Sequence, residues 1–250
     1  MLVKEWMATE PIVIDENTSI MKACQLMKEH GIRRIPVVKQ NRIAGIVSDR
    51  DIKDAAPSKT ASMDDHEIYY LLSETKIKDI MTSHPLTLRE NDSVEKAAVI
   101  MLENRISGLP VVNDQNQVVG VITQTDILKV MISITGIYHS PIQLACDLED
   151  RPGSLNKLVN IIRSHKARLA SVLTCQEHVS PGRREAYVRI GDISDEQLGT
   201  LVEELKKEFK VLYVLRENIG DIPKKKAVIK KETSTLLNQE WDLNFNMDTT

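Results

Sequence analysis

A chain of 250 residues with 42% hydrophobic content can bury one large core or two smaller ones. A formal net charge of −3 gives no global electrostatic footprint for nucleic acid, and 4% aromatic content without basic–aromatic interleaving argues against a single-strand stacking platform. No apolar stretch approaches the length of a membrane span, and Lys4, Glu5, Glu10 and Asp15 interrupt any leader-like start, so a cytoplasmic location is expected.

From Val3 to Ile52 the pattern predicts a short strand over Ile12–Ile14, a helix over Ser19–His30, and a hairpin of Ile35–Val38 and Ile43–Val47 leading into a second helix. Ser19 reads as an N-cap and Gly31 as a C-terminal stop. Ala23, Leu26 and Met27 share one helical face with Cys24, which leaves an apolar side that a lone unit could not cover. The hairpin ends in Gly45-Ile-Val-Ser48-Asp-Arg50-Asp51. A glycine at that point lets another backbone or a ligand come close. A strand end meeting a helix start leaves amides that suit a phosphate. The Ser48 hydroxyl can donate to the same group, and the Asp51 carboxylate, an acceptor only, suits the paired hydroxyls of a ribose. The same string also arises from ordinary capping chemistry.

Lys53 to Lys76 is polar and then amphipathic. Asp64 and Asp65 suit a helix start, with Ile68, Leu71 and Leu72 on one face. His66 beside Glu67 lacks a second ligand pair at helical spacing, which argues against a metal. The Tyr69-Tyr70-Leu71-Leu72 segment is expected to dock on the repeats or on a second subunit.

From Ile77 to Ile127 the first segment repeats. Met7 matches Met81, Ser19 matches Ser93, and Pro36-Val37-Val38 matches Pro110-Val111-Val112. After one extra residue in the turn Asn113–Asn116, Gly45, Ser48 and Asp51 fall on Gly120, Thr123 and Asp126. A repeat of this length means a repeated supersecondary unit. These residues resemble a tandem pair of CBS domains, an adenosine-nucleotide-sensing module. The resemblance implies two βαββα units packed about a pseudo-twofold, with no catalytic cofactor and with AMP, ADP, ATP or S-adenosylmethionine as regulatory ligand. Carried over by position, one site would use Ile12, Ile32, Arg33, Arg34, Ser48, Arg50 and Asp51. The other would use Thr82, His84 and Leu86, with Ile106, Ser107 and Gly108 lining the adenine, Thr123 and Thr125 facing phosphate, and Asp126 the ribose. Arg33-Arg34 resembles the basic pair that meets phosphates in the sensing subunit of AMP-activated kinase, whereas the second repeat has Ser107-Gly108 there. Planar guanidinium groups fit phosphate bidentately, so the cations lie mostly on one repeat. Solvated surface charge is the plainer reading of the same pair.

Ile142–Leu148 reads as a strand ending in Asp150-Arg151-Pro152-Gly153-Ser154-Leu155. A helix follows with Leu155, Leu158, Val159, Ile161 and Ile162 inward. Strands over Ala167–Cys175 and Glu185–Ile190 flank the turn Ser180–Arg183. Ser194 caps a helix with Leu198, Leu201, Val202 and Leu205 inward, and Lys210–Leu215 closes a βαββαβ order, which gives a ferredoxin-like sheet. This stretch resembles an ACT domain. The resemblance implies a small ligand such as an amino acid at the helix start, among Asp150, Arg151, Gly153, Ser154 and Leu155; plain helix-start chemistry explains Pro152 and Gly153 equally. Three cysteines, an odd number at wide spacing, suit a reducing compartment, with inert buried thiols as the default.

The expected organisation is α/β (α+β): CBS units at 1–56 and 77–135, a linker helix at 57–76, an ACT unit at 138–218 and a polar tail at 219–250. Two CBS units, this linker and an ACT unit together resemble the acetoin-utilisation protein B family. In the tail, Lys224–Lys226 with Lys230 and Lys231 put five positive charges in eight residues, and Trp241 and Phe245 could anchor a helical turn on another surface. No nucleophile with its base, metal cluster or phosphate loop is recognisable, so a regulatory protein without chemistry of its own is expected. A homodimer and an unidentified protein target follow from the resemblance. The alternatives are a nucleic-acid regulator acting through the basic tail and a structural dimeriser.

Overall fold

Each repeat folds in the expected order. The first contains β1 (Ile14–Asp15), α1 (Ile20–His30), β2 (Arg34–Lys39), β3 (Arg42–Ser48) and α2 (Asp49–Ala55). After α3 (Asp65–Glu74) come β4 (Thr82–Ser83), β5 (Leu88–Arg89), α4 (Val94–Glu103), β6 (Gly108–Val112), β7 (Val118–Thr123) and α5 (Gln124–Thr135). These belong to a computed structural model in which residues 1–56 and 65–223 are described. Ser19 and Ser93 cap α1 and α4, accepting from the amides of Lys22 and Lys96, and Gly31 ends α1 in the left-handed region at φ 63°. The first strand is shorter than expected. Ile14 and Asp15 pair in parallel with Val37 and Val38, while Ile12 packs on the core outside the ladder.

The repeats are not self-contained. Val3, from the start of the first repeat, is fully buried in the core of the second, beside Leu88, Leu109 and Ile122. Its counterpart Ile77 is fully buried in the core of the first, with Ile20, Ile35 and Val47. The backbones follow the same exchange. β4 pairs antiparallel with β3 (Ile46 with Thr82, Gly45 with Ser83), and Ala8 bridges to Val121 of β7. Both hairpins carry a register shift just before their glycine, between Val37 and Val38 and between Val111 and Val112. A bulge re-aims the strand, which sets Gly45 and Gly120 under the incoming chain. A Cβ at Gly45 would overlap the Met81 sulfur and lie 3.1 Å from the Thr82 carbonyl oxygen. One at Gly120 would overlap the Met7 sulfur and lie 2.9 Å from the Ala8 carbonyl oxygen. The backbone that these glycines admit is therefore the leading segment of the other repeat.

The chain then forms β8 (Ile142–Glu149), α6 (Ser154–Ser164), β9 (Leu169–Cys175), β10 (Arg183–Ile190), α7 (Asp195–Glu208) and β11 (Lys210–Arg216). The strand order β11-β8-β10-β9, antiparallel throughout, is the ferredoxin-like arrangement. Leu158 and Ile162 of α6 and Leu201 and Leu205 of α7 cover Leu144, Cys146, Val188 and Ile190. Ala167 and Arg168 fall before β9, which starts two residues later than expected, after a turn in which Lys166 takes a positive φ of 58°. Cys146 is buried, and burial pushes its thiol up to about 11, but Cys24 and Cys175 are only partly covered. In α3, Leu72 packs on the first core while Tyr69, Tyr70 and Leu71 are exposed, so Leu71 does not join the packed face. Asp64 lies outside the described residues.

Residues Met1–Glu217 form one compact unit and Asn218–Thr250 a second, of which a short turn at Ile219–Asp221 is described. The lysine run and Trp241 and Phe245 are outside the described residues. Among the described residues, no helix is long and apolar enough to cross a membrane.

The exchange predicts specific energetic coupling. Gly45→Ala should destabilise the chain by about 1–3 kcal/mol, the usual penalty for overpacking a filled site. In denaturant melts, combining it with Met81→Ala should reveal a coupling of about 0.5 kcal/mol or more, as expected for residues in contact. Combining it with Met7→Ala should give simple additivity.

Candidate functional site

β3 runs directly into α2 at Ser48, and β7 into α5 at Thr123. In each turn the carboxylate three residues on folds back over the strand end. Asp51 Oδ2 accepts from the Ser48 amide (2.7 Å) and hydroxyl (2.7 Å), and the Asp51 amide donates to Ser48 Oγ at 3.3 Å. Asp126 Oδ2 accepts from the Thr123 amide (3.0 Å) and hydroxyl (2.7 Å), with the return bond at 3.4 Å. Both are reciprocal capping boxes. The capping reading of the string is thus realised in both copies, and both carboxylates are half-buried. Lys129 adds a bond to Asp126 Oδ1 at 3.0 Å. Burial by itself would raise the Asp126 pKa, but the bonds from Thr123 and Lys129 outweigh it and hold the carboxyl below its ordinary value.

The surrounding candidates are distributed unevenly. Ile12 and Ile32 are partly buried against the first core, and Ile106 against the second. Arg33, Arg50 and Thr125 are exposed, as are Thr82, His84 and Leu86. Thr82, a candidate for the second site, pairs through its backbone with Ile46 on the first repeat's sheet, and the His84 amide donates to the Ala44 carbonyl. Arg34 departs most from expectation. Its side chain leaves the first repeat and donates through Nη2 to Ser107 Oγ of the second, passing over Gly108. Sequence reasoning missed this crossing and the Lys129 contact. The pairing of Gly108 against Arg34 at matched repeat positions was the available signal.

A second concave site lies at the start of α6. A cavity of about 460 Å³ is lined by Arg151, Gly153 and Ser154 of the candidate set, and also by Pro152, Lys157, Arg183 and Lys210 with Asp147, Glu149 and Glu208. Gly153, at φ 90°, supplies no side-chain acceptor to the helix start. Three of the cations are engaged: Arg183 with Asp147 (2.8 Å), Arg151 with Glu149 (2.5 Å) and Lys157 with Glu208. Asp150 is instead drawn to Arg184 and Gln176, and Leu155 packs into the core. The distal wall, from β10, α7 and β11, was invisible to a reading of the Asp-Arg-Pro-Gly-Ser-Leu string. Among the described residues, no group of three or more His, Cys, Asp or Glu side chains could hold a metal.

Comparison with known proteins places this geometry. The family profile described as CBS domain matches residues 3–58 and 77–133. The protein YhcV of Bacillus subtilis is 34% identical over 125 residues, covering 50% of this chain and 81% of YhcV. Protein MJ1225 of Methanocaldococcus jannaschii is 30% identical over 127 residues, covering 48% of this chain, which spans only 45% of MJ1225. Among solved structures, the CBS domain pair of protein MJ0100, in complex with 5′-methylthioadenosine and S-adenosyl-L-methionine, is 31% identical and covers 52% of this chain and 95% of that chain at a TM-score of 0.44. A Vibrio cholerae protein named for acetoin utilization, AcuB, is 26% identical and covers 55% of this chain and 95% of that chain at a TM-score of 0.46. With both repeats matched by the profile and most of YhcV aligned, the chain belongs to the CBS-domain family.

Proposed function

We propose that this chain is a non-catalytic regulator whose CBS pair senses an adenosine compound. The observation that carries the reading is the duplicated strand-to-helix turn. Two half-buried carboxylates, Asp51 and Asp126, are each oriented by a strand-end hydroxyl at the head of a helix. In each turn both capping bonds fall on Oδ2, so Oδ1 is the oxygen that would meet a ribose diol, with Lys129 yielding in the second repeat. The helix starts and Ser48, Thr123 and Thr125 would meet phosphate. A ligand biases such a pair only by its difference in affinity for two packings of the repeats.

The cavity at the start of α6 supports a second ligand. In this reading the unit formed by β8 to β11 is an ACT domain, and the occupant is an amino acid. Its carboxylate would lie at the uncapped α6 start and its ammonium near Glu149 or Glu208. A second copy of the chain is the third component. Val99 and Leu102 of α4 and Leu128 and Met131 of α5 are 58%, 75%, 61% and 53% exposed. At the matching positions the first repeat carries Gln25, Lys28, Lys53 and Ala56. The same fold thus forms without this apolar stripe, and its place on the second repeat suits a self-association interface.

Thermal unfolding tests the sensor directly. A compound present at about a hundred times its dissociation constant stabilises by roughly 2.7 kcal/mol. For a chain of this size that is a rise of about 2–4 °C. AMP, ADP, ATP and S-adenosylmethionine form the panel, and the rise should vanish in Asp51→Ala, Asp126→Ala. No shift with any adenosine compound would reject the sensor reading. An amino-acid panel should give a shift that survives this double variant and disappears in Arg151→Ala, Lys210→Ala. In light scattering the wild type should run at twice the mass of one chain, and Leu102→Glu, Leu128→Glu at the mass of one; a monomeric wild type would reject the interface.

A further inference from the structure

Among the described residues, Arg34 is a cation that makes no ion pair. It opens β2 opposite Ser48, so its backbone sits beside the first Ser–x–x–Asp turn, whose Asp49 amide donates to the Arg33 carbonyl. Its guanidinium ends on the second repeat at Ser107 Oγ. Ser107 accepts through its carbonyl from the Gln124 amide, and Gly108 pairs with Thr123, so this hydroxyl stands at the second turn. A Cβ at residue 108 would overlap Nη1 and lie 3.0 Å from Cδ and 3.1 Å from Cζ. The glycine therefore supplies the passage for the side chain. Arg34 is half-buried, and among the described residues no carboxylate lies within ion-pairing distance of it. Burial lowers its pKa, while the field of Asp49 raises it and that of Arg33 lowers it. A half-buried guanidinium whose hydrogen-bond partner is a neutral hydroxyl is incompletely compensated, and an anion would complete it.

We propose that Arg34 is a single anion-binding group shared by the two nucleotide sites, so that one phosphorylated ligand draws it away from the other. This rests on the sensor reading above and adds a regulatory consequence. The second repeat has Ser107, Gly108 and Thr125 where the first has Arg33, Arg34 and Arg50, and so brings no arginine of its own at these positions. Its cationic phosphate contact comes from the first repeat, beside the hydroxyls of Thr123 and Thr125. Two phosphorylated nucleotides compete for one guanidinium, whereas two uncharged adenosine molecules do not. By linkage the penalty is the same whichever site fills first.

Calorimetric titration of AMP and of adenosine separates these cases in single-site proteins. Asp51→Ala leaves the second site and Asp126→Ala the first. Adding Arg34→Gln to either should weaken AMP by about tenfold or more, the scale of a lost charge-assisted hydrogen bond. The affinity for adenosine should change by less than about twofold, since no charge is met. A loss of AMP affinity on Arg34→Gln in only one single-site protein, or in neither, overturns the sharing. An equal loss for adenosine overturns it as well, because the effect would then be structural. If the wild type binds neither compound, the sensor reading falls and this inference with it, an outcome distinct from normal AMP binding that ignores Arg34.

Discussion

The CBS pair depends on the exchange of leading segments between its repeats. Val3 completes the second core and Ile77 the first, both fully buried. Full burial of such side chains contributes about 1.5–3 kcal/mol each. More important is where the contribution falls, because neither core is closed by its own repeat. The short pairings of β4 on β3 and of Ala8 on Val121 tie the backbone to the same exchange. A repeat of about fifty residues has little apolar surface to bury alone. Through this reciprocal donation each repeat supplies part of the other's core.

In the proposed reading, one local motif serves two purposes. The Ser48–Asp51 and Thr123–Asp126 capping boxes are helix-start chemistry, worth about 1 kcal/mol apiece. The same bonds fix a carboxylate and a hydroxyl at the end of a strand without a flexible loop. A side chain already held by backbone geometry loses little further freedom when a ligand arrives. Capping and ligand binding are therefore compatible, and the Lys129 contact to Asp126 is the element of the pair that a ribose would have to displace.

Much of this was legible in the sequence because the signals are local. Ser19 and Ser194 cap the helices assigned to them, as does Ser93 at the position matched to Ser19; Gly31 stops α1, and the βαββαβ order after Ile142 emerges from period and turn residues. What stayed hidden is pairing at a distance. The apolar character of Val3 and Ile77 says that they are buried, and nothing in their period says in which core. Gly45 and Gly120 were correctly read as points of close approach, but whether a ligand or a backbone approaches depends on the other repeat. Arg34 was placed by its position on β2, while the direction of a long side chain is set by where a neighbour leaves room. In the ferredoxin-like unit the helix start was visible, and the wall supplied by Arg183, Glu208 and Lys210 needed the sheet register.

The differences between the repeats carry more functional information than their likeness. Each repeat is a control for the other, since both form the same strands, caps and bulges. Where matched positions keep Pro-Val-Val or a hydroxyl–carboxylate pair, the common fold is sufficient explanation. Where they diverge it is not. Arg33, Arg34 and Arg50 against Ser107, Gly108 and Thr125 divide charge between the turns. Gln25, Lys28 and Lys53 against Val99, Leu102 and Leu128 divide polarity between the helical faces. Neither division is required to build a repeat, because the opposite choice builds one in the same chain. In the proposed reading the charge division bears on what the turns hold, and the polarity division on what the second repeat touches. Arg34 and Gly108 show the two copies fitting each other: the arginine of one takes its path because the other has no side chain at the matched position.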